Sequence, residues 1–344
     1  MPEQIAVVGA GIIGCLVTRQ LLAAVPERRI TLIDRDIAGG GASLRSAGVH
    51  FPIGRTARLR AMTAFSEDAF RDLLTDQPDL PIHPVDLWAV AAPERAAALR
   101  IAFIAPGEEQ TVPTDRLGAV TGPPGAVAWP VPGCHVTDVG ALVQRLVREL
   151  RGAVTLLEGT SVDAIAERPG GVALSLASGE TLTVDRLVLA PGPWVNAPAW
   201  AALTAPLGLR VKKVVALHLD LPPDDGAPAV LFPEEDAFLV PLRHRGHWLY
   251  SYTCPEWDIS PDGLQRGLTG QNLGEARAVL ERYAPDLAPA LRSGRVFCDA
   301  YSPAREPVVE TVGERGAIVF AGAANGSGYR LAPAIAAETV RRLA

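Results

Sequence analysis

The chain has 344 residues, enough for two domains, and its formal net charge of −6 offers no basic concentration that would suit nucleic acid. Four scattered cysteines (Cys15, Cys134, Cys254 and Cys298) form no paired motif, which favours reduced thiols in a cytoplasmic protein over a disulfide framework or a zinc site. The sequence contains no apolar run long enough to span a bilayer, so no membrane partner is expected. Because the basic residues are not concentrated, nucleic acid is not an expected partner either.

The first 34 residues predict a nucleotide-binding unit. Residues 4–8 read as a buried strand that enters the GxGxxG turn of Gly9, Gly11 and Gly14. Gly9 allows the tight turn, Gly11 lets the backbone approach a pyrophosphate, and Gly14 lets the next helix pack closely on the strand. A helical pattern and a second strand follow and end at Asp34, at the spacing where an acidic side chain meets an adenosine ribose.

A glycine- and serine-rich loop follows at residues 37–50, with the pattern of neither an amphipathic helix nor an alternating strand. Such a loop exposes many backbone N–H groups and is suited to lie along the phosphates and rings of a cofactor. In it we expect Ser43 and Ser46 to be hydroxyl donors and Arg45 to be a charge partner.

The rest of the chain alternates between helical and strand patterns. Helices are predicted over 57–74 (one long helix or two short ones), 92–100, from Thr137 or Asp138 to 150, over 273–283, and from about Ala332 with Pro333 in the first turn. Strands are predicted over 154–157, 171–176, 181–184, 186–189, 211–221, 229–232, 237–241, 247–253, 295–300 and 317–321.

These patterns predict an α/β fold with two domains. A Rossmann-like domain is assembled from residues 1–77, 137–205 and 305–344. A second, α+β substrate domain, built on an antiparallel sheet, takes residues 78–136 and 206–304.

Five segments carry a resemblance to a known family: GAGIIG at 9–14, Asp34, GASLRSAGVH at 41–50, APGPWVN at 190–196 and AGAANGSGYRLAPAIAAE at 321–338. In these segments the chain resembles the D-amino-acid oxidase superfamily of FAD-dependent oxidoreductases, especially its glycine oxidase and sarcosine oxidase branch. The segments cover the start, middle and end of the chain and are specific for the superfamily, but not for a substrate.

The resemblance implies that FAD is the cofactor, with its ribose on Asp34, its adenine at Val162 and a helix N-terminus near Leu331 beside the flavin N1–C2=O edge. Cys298 lies where sarcosine oxidases carry a covalent flavin link, but its surroundings match poorly, so noncovalent FAD is favoured. The predicted cofactor contacts are Gly9, Gly11, Ile12, Ile13, Gly14, Asp34, Arg35, Ser43, Arg45, Ser46, Ala47, Gly48, Val162, Gly192, Trp194, Gly322, Asn325, Gly326, Ser327, Gly328, Tyr329, Arg330 and Leu331.

Members of the family commonly hold a substrate carboxylate with a basic residue in the final loop and an arginine before a TPD-like segment. Arg330 matches the first, whereas Asp299 or Tyr301 stands near the expected place of the second. This departure leaves one clear cation for a carboxylate and admits a substrate without one. Arg330 could instead pair with the flavin or form a surface salt bridge.

The candidate catalytic residues are His50, Arg330, Tyr252 and Tyr301. His50 is either a general base, as in relatives that oxidise 2-hydroxy acids, or a structural histidine. Tyr252 and Tyr301 either line an active-site face or pack in the core.

Two further groups of residues are given no role in the site. Lys212 and Lys213, the only lysines, read as a surface pair in a strand. His244 and His247 have metal-like spacing but lack a third ligand, so no metal is predicted.

The predicted function is oxidation of a C–N bond of a small-molecule amine, amino acid or cyclic imino acid by hydride transfer to flavin N5, with O2 as the expected reoxidant. An alternative on the same scaffold is a 2-hydroxy-acid dehydrogenase with His50 as its base. An alternative of another class is a flavin-binding partner protein without turnover.

Overall fold

The computed structural model describes residues 2–264 and 267–343. Its helices are α1 (Ile12–Ala24), α2 (Ala42–Arg45), α3 (Ala57–Asp76), α4 (Pro93–Arg100), α5 (Thr114–Leu117), α6 (Val139–Leu150), α7 (Ala201–Thr204), α8 (Gly270–Tyr283) and α9 (Gly328–Leu343). Its strands are β1 (Gln4–Val8), β2 (Arg29–Ile33), β3 (Val49–His50), β4 (Ile82–Pro84), β5 (Leu87–Ala91), β6 (Gln110–Thr111), β7 (Val127–Val131), β8 (His135–Thr137), β9 (Thr155–Leu157), β10 (Val162–Arg168), β11 (Gly171–Leu176), β12 (Thr181–Val184), β13 (Arg186–Leu189), β14 (Arg210–Leu219), β15 (Ala229–Phe232), β16 (Ala237–Leu242), β17 (His247–Tyr252), β18 (Leu291–Tyr301), β19 (Val308–Val312) and β20 (Ile318–Gly322).

A six-stranded sheet joins the start, middle and end of the chain in the order β19-β20-β13-β1-β2-β9. Its pairs are parallel except for β19 with β20 at one edge. Helices such as α1 pack on one face of this sheet, and the sheet β10-β11-β12 packs on the other. Burial on both faces explains why β1 and β13 are nearly continuous apolar runs. The predicted bounds of β1, β2 and β13 are confirmed.

An eight-stranded sheet forms the second layer in the order β18-β14-β17-β16-β15-β5-β7-β6. Its strands come from residues 87–131 and 210–301. The sheet is antiparallel except where β15 pairs with β5 in parallel, Ala229 opposite Leu87. The predicted antiparallel sheet is therefore mixed, because a strand from one segment joins the edge of the other.

Two smaller sheets, β10-β11-β12 and β3-β8-β4, complete the fold. The helix predicted from Thr137 or Asp138 is confirmed as α6, which is capped by Asp138 through a 3.0 Å bond from the Ala141 N–H to its Oδ1. The pattern over 57–74 forms one helix, α3. In the described residues, no helix has the length and apolar character needed to cross a membrane.

Two local predictions are wrong. The loop over 37–50 contains the one-turn helix α2 and the short strand β3. The last helix begins at Gly328 and not near Ala332, so Pro333 lies inside α9. The earlier start follows from the preceding residues, since Asn325 and Gly326 turn the chain through positive φ angles before the helix begins.

Candidate functional site

A cavity of about 1560 Å³ lies at the carboxyl ends of the parallel strands and is lined by residues of both large sheets. Val8 and Ala190 border it from β1 and from the loop after β13, while Lys212, Tyr252 and Tyr301 border it from the eight-stranded sheet. This edge is where open parallel sheets bind ligands, because the loops after the strands leave a crevice there.

Two glycines of the GxGxxG turn leave no room for a side chain, whereas the third faces open space in the cavity. Gly9 has φ of +100°, and a Cβ there would lie 2.1 Å from the carbonyl oxygen of Ala190. A Cβ on Gly14 would lie 1.8 Å from the carbonyl oxygen of Gly9. A Cβ on Gly11 would meet only Ser43 Oγ, at 3.2 Å, so Gly11 leaves the backbone open to the cavity.

The first turn of α1 presents N–H groups beside Gly11. The Ile12 N–H donates to Ser43 Oγ at 3.0 Å, and the first intrahelical bond is from the Cys15 N–H to the Gly11 carbonyl at 2.9 Å. The N–H groups of Ile13 and Gly14 precede that bond and have no acceptor within the helix. An anionic ligand at Gly11 would meet these donors and the positive end of the helix dipole.

Asp34 is held in place at the end of β2. Its Oδ2 accepts the Ala10 N–H at 2.7 Å, and its Oδ1 accepts the Asp36 N–H at 3.0 Å. Burial raises the pKa of this carboxyl, while the two N–H bonds act to lower it. Each oxygen keeps a further lone pair, so the carboxylate can also accept bonds from a ligand in the cavity that it lines.

Arg35 closes a cluster at the same end of the cavity. Its guanidinium lies 4.2 Å from the centroid of the Trp194 ring and 2.5 Å from Asp262 Oδ1. Trp194 Nε1 donates to the same Asp262 oxygen at 2.9 Å. Val162 and Gly192 also line the cavity. Asp262 could not be predicted as a member of this cluster, because no local pattern links it to residues so distant in the chain.

The segment after α2 is held by an arginine that sequence reasoning also missed. Arg295, on β18, donates from Nε to the Arg45 carbonyl at 2.8 Å and from Nη2 to the Ser46 carbonyl at 3.0 Å. Arg45 itself donates to the Gly40 carbonyl at 3.0 Å, so its guanidinium braces its own loop. Ser46 Oγ accepts the Gly48 N–H at 3.1 Å. Arg45, Ser46, Ala47 and Gly48 line the cavity, and the side chains of Arg45 and Ser46 are occupied in fixing the loop.

The final loop places the N-terminus of α9 at the cavity. Its first intrahelical bond joins the Leu331 N–H to the Ser327 carbonyl at 2.9 Å, so the N–H groups of residues 328–330 precede it. Asn325 Oδ1 accepts the Ser302 N–H at 3.0 Å, which holds the loop against the segment after β18. Leu331 and Gly322 are predicted contacts that do not line the cavity, because Leu331 is inside the core and Gly322 ends β20.

Tyr329 reaches the cavity, but its hydroxyl lies elsewhere. The hydroxyl is hydrogen bonded to His135 Nε2 at 2.8 Å and to Thr137 Oγ1 at 2.5 Å, and it is buried. The residue therefore contributes its backbone N–H to the start of α9 and anchors the helix to β8.

Arg330 is a partly buried cation at the cavity. Its Nη1 donates to the carbonyl oxygens of Phe51 and Ile53, and its Nη2 donates to Ser327 Oγ at 2.8 Å. Within the described ranges no carboxylate lies within 4.0 Å of it, so the surface salt bridge considered above is wrong. Burial lowers the pKa of the guanidinium to about 10, and it remains charged at neutral pH.

The two candidate tyrosines differ in what their hydroxyls do. Tyr252 donates to Glu275 Oε2 at 2.8 Å, so its hydroxyl is directed at α8 while its ring lines the cavity. Tyr301 has no protein hydrogen-bond partner among the described residues, and its oxygen lies 3.2 Å from where a Cβ of Gly326 would be. Tyr301 is therefore the tyrosine whose hydroxyl is available to a ligand.

His50 does not lie in the cavity. It is 0% exposed, its ring stacks on His135 with centroids 4.8 Å apart, and it is not among the residues that line the cavity. Neither ring nitrogen has a hydrogen-bond partner in the part of the chain that the structure describes, and burial holds the pKa of His50 well below the usual range. The prediction that His50 is a general base is wrong for this geometry, because a base must reach the proton that it removes.

Lys212 and Lys213 are not a surface pair. Both are buried, at 7% and 4% exposed, and both line the cavity. Lys213 Nζ lies 2.9 Å from Glu256 Oε1. Asp299, directly opposite Lys212 in the β14–β18 register, also lines the cavity and accepts the Gly326 N–H at 2.7 Å. Burial raises the pKa of Asp299 to about 6.

The cysteines and histidines provide no further centre. All four cysteines are free and buried, and burial followed by the charge of Asp299 raises the pKa of Cys298 to about 12. A thiol of that pKa holds little of the thiolate needed for a flavin thioether. Across the described part of the chain, no group of three or more His, Cys, Asp or Glu residues could hold a metal ion.

Comparison with known proteins decides the family. Residues 4–342 match the family model described as FAD dependent oxidoreductase. The chain belongs to this family. Both the resemblance and the fold class proposed from the sequence are thereby confirmed.

Three relatives illustrate the similarity. A glycine oxidase from Pseudomonas aeruginosa is 28% identical over 230 residues, which is 62% of this chain and 60% of the relative, so the match spans about three-fifths of that protein. The glycine oxidase structure from Geobacillus kaustophilus has a TM-score of 0.80 at 19% identity, covering 99% of this chain and 95% of that one. Fructosyl amine: oxygen oxidoreductase (Amadoriase I) from Aspergillus fumigatus has a TM-score of 0.81 at 19% identity, covering 99% and 86%.

The residues at the cavity fit the cofactor of the family. Gly11 leaves a space that a Cβ would enter, the N–H groups of Ile13 and Gly14 are without helical acceptors, and Asp34 is oriented toward the cavity. This is the donor and acceptor set that a pyrophosphate and a ribose require. FAD is the cofactor of this family, and the site can accept it.

Proposed function

We propose that this chain catalyses FAD-dependent oxidation of a C–N bond in a small-molecule amine, amino acid or cyclic imino acid. The observation that carries the proposal is Arg330, a partly buried cation that lines the cavity with no carboxylate within 4.0 Å in the described residues. Such a cation favours an anionic group in the cavity, and the carboxylate of an amino acid supplies one.

The proposed cofactor contacts follow the geometry of the first turn and the two loops. The N–H groups of Ile13 and Gly14 would hold the pyrophosphate, Asp34 the ribose, and Val162 the adenine. The segment 43–48 and the N-terminus of α9 would lie beside the ring system. Bound FAD would supply the acceptor for the hydride that leaves the carbon next to nitrogen.

The residues around Arg330 would position the substrate. The carbonyl oxygens of Phe51 and Ile53 hold the Arg330 guanidinium rigidly, which fixes the place of a bound carboxylate. Tyr301 offers a hydroxyl without a protein partner, and it could bond to the substrate or orient it. Because the lone pair of a neutral amine drives hydride loss, the proposal requires positioning and not a strong base at the carbon.

Three finer points belong to the same proposal. The structurally similar Aspergillus fumigatus enzyme is a fructosyl amine: oxygen oxidoreductase, and this supports an amine substrate and O2 as the reoxidant. A cytoplasmic location is proposed from the free cysteines. The division into a cofactor domain (1–77, 137–205 and 305–344) and a substrate domain (78–136 and 206–304) is proposed from the two large sheets.

The two alternatives make different demands on the site. A 2-hydroxy-acid dehydrogenase needs a base that removes the hydroxyl proton of its substrate. Because His50 is fully buried and does not line the cavity, the geometry favours an amine substrate. A flavin-binding partner without turnover needs no cation such as Arg330 facing the cavity.

Anaerobic mixing of the FAD-loaded protein with panels of amines, amino acids and 2-hydroxy acids tests the proposal. We expect loss of the flavin absorbance near 450 nm with at least one amino compound, and a slower reaction after Arg330→Met if that compound is an amino acid. Reduction by hydroxy acids alone would favour the dehydrogenase, and a flavin that no compound reduces would favour the partner protein.

A further inference from the structure

Lys212 is a second cation in the cavity that the proposed function does not use. Its side chain is 7% exposed and its residue lines the cavity. Its Nζ lies 5.1 Å from the centroid of the Trp257 ring and 5.4 Å from that of the Tyr301 ring. Among the described residues, the ammonium has no hydrogen bond and no carboxylate within 4.0 Å, and Lys213 alone of the two lysines forms an ion pair.

The neighbouring lysine, Lys213, is a buried cation that is paired with a carboxylate of the protein. Lys213 Nζ lies 2.9 Å from Glu256 Oε1, and Asn272 Nδ2 donates to the same oxygen at 2.9 Å. A buried charge without such a partner is costly, because it has lost its water and gained no opposite charge. Two aromatic faces compensate only part of that loss. Lys212 therefore has the environment of a cation whose counter-ion is brought by a ligand.

Lys212 and Arg330 hold separate positions in the cavity. Lys212 lies on β14 between Trp257 and Tyr301, whereas Arg330 lies on α9 against the carbonyl oxygens of Phe51 and Ile53. Their side chains share no protein contact among those described. The charge of Asp236 acts on both cations, and it raises the pKa of each against the lowering by burial.

Asp236 does not neutralise either cation by direct contact. Its carboxylate lies 3.9 Å from Arg55 and accepts the Thr253 hydroxyl at 2.6 Å, so it is already engaged. Lys212 and Arg330 are therefore two of the cations at the cavity to which an anionic group of a ligand can bind.

We propose that Lys212 binds a second anionic group of the substrate, so that the substrate is an amino or imino compound with two anionic groups, one held by Arg330 and the other by Lys212. This inference rests on the proposed function, in that it assigns the second group to the molecule that is oxidised. It makes Lys212 a specificity-determining residue, since a substrate with one anionic group would leave the ammonium unpaired.

Ligand binding to the FAD-loaded protein tests the inference without turnover. Glutarate and pentanoate have the same number of carbons and differ in one carboxylate, and both can be titrated against the flavin absorbance spectrum. We expect glutarate to bind the wild-type protein at least about tenfold more tightly than pentanoate. In Lys212→Met this preference should disappear through weaker glutarate binding, while pentanoate binding stays within about twofold.

Two further variants serve as controls for the effect of Lys212→Met. Lys212→Gln keeps a polar group of similar length and should also lose the preference, which covers the case in which Lys212→Met does not fold. Arg95→Met removes an exposed positive charge far from the cavity lining and should keep the preference. Equal binding of the two acids to the wild-type protein, a preference that survives in the Lys212 variants, or an equal loss of pentanoate binding would overturn the inference.

The result can be separated from that of the proposed function. If no amino compound reduces the flavin but the glutarate preference depends on Lys212, the anion site stands and the proposed oxidation fails. If amino compounds reduce the flavin and the preference does not depend on Lys212, the oxidation stands and the two-anion substrate is wrong.

Discussion

The glycine turn makes a prediction that separates folding from cofactor binding. In Gly9→Ala, the new Cβ would lie 2.1 Å from the Ala190 carbonyl oxygen, and φ of +100° is unfavourable for alanine. The backbone strain costs about 1–2 kcal/mol and the overlap adds about 1–3 kcal/mol. We expect the melting temperature of the protein without FAD to fall by roughly 4–20 °C, since each kcal/mol shifts it by about 2–4 °C in a large domain.

A matched variant isolates the overlap. Gly179 has φ of +88°, and a Cβ there would meet nothing within 4 Å, so Gly179→Ala carries the backbone strain alone. Gly11→Ala meets only Ser43 Oγ at 3.2 Å and should melt within about 2 °C of the wild-type protein. Its methyl group would nevertheless enter the space beside the proposed pyrophosphate, and we expect FAD to bind at least about tenfold more weakly.

Differential scanning fluorimetry without FAD and fluorescence titration with FAD measure the two effects. The reasoning is refuted if Gly9→Ala melts no lower than Gly179→Ala. It is also refuted if Gly11→Ala binds FAD as tightly as the wild-type protein.

Three other variants test the remaining contacts. Arg295→Met should lower the free energy of unfolding by about 2–3 kcal/mol and speed proteolysis near residue 45, because two carbonyl oxygens lose a charged donor. The control Arg292→Met, at an exposed arginine, should do neither, and equal behaviour of the two variants would contradict this prediction. His50→Leu should leave the rate of flavin reduction within about twofold, whereas losing a true base would slow it at least about a hundredfold. Burial raises the pKa of Asp299 in the folded state to about 6, so the folded state takes up a proton before the unfolded state as pH falls. Between pH 7 and 4.5, the free energy of unfolding of the wild-type protein in urea should therefore rise relative to that of Asp299→Asn, and a relative fall would contradict the assignment.

The nucleotide-binding turn could be predicted from the sequence because its requirements are local. Gly9 and Gly14 are needed where a Cβ would overlap a carbonyl oxygen, and the helix and strand around them have clear apolar periods. The start of α9 could not be placed in the same way. Pro333 favours the first turn of a helix, but the chain had already turned at Asn325 and Gly326, and the helix tolerates the proline inside it.

The contacts of the charged residues at the site could not be predicted, because their environment is set by distant strands. Lys212 reads as a surface lysine until β14 is paired with β18 and Trp257 is placed beside it. Arg295 and Asp262 contact residues that are more than two hundred positions away. His50 follows a cofactor loop in the sequence, yet β3 pairs with β8 and turns its ring toward His135. Tertiary pairing of this kind leaves no local signal.

The measurement closest to the central claim is the FAD content of the purified protein. If separate stretches at the start, middle and end of the chain enclose one FAD molecule, the purified protein should contain about one FAD per chain by absorbance and mass spectrometry. The stripped protein should melt at a higher temperature when FAD is added. A colourless protein that neither binds added FAD nor melts at a higher temperature with it would contradict the account.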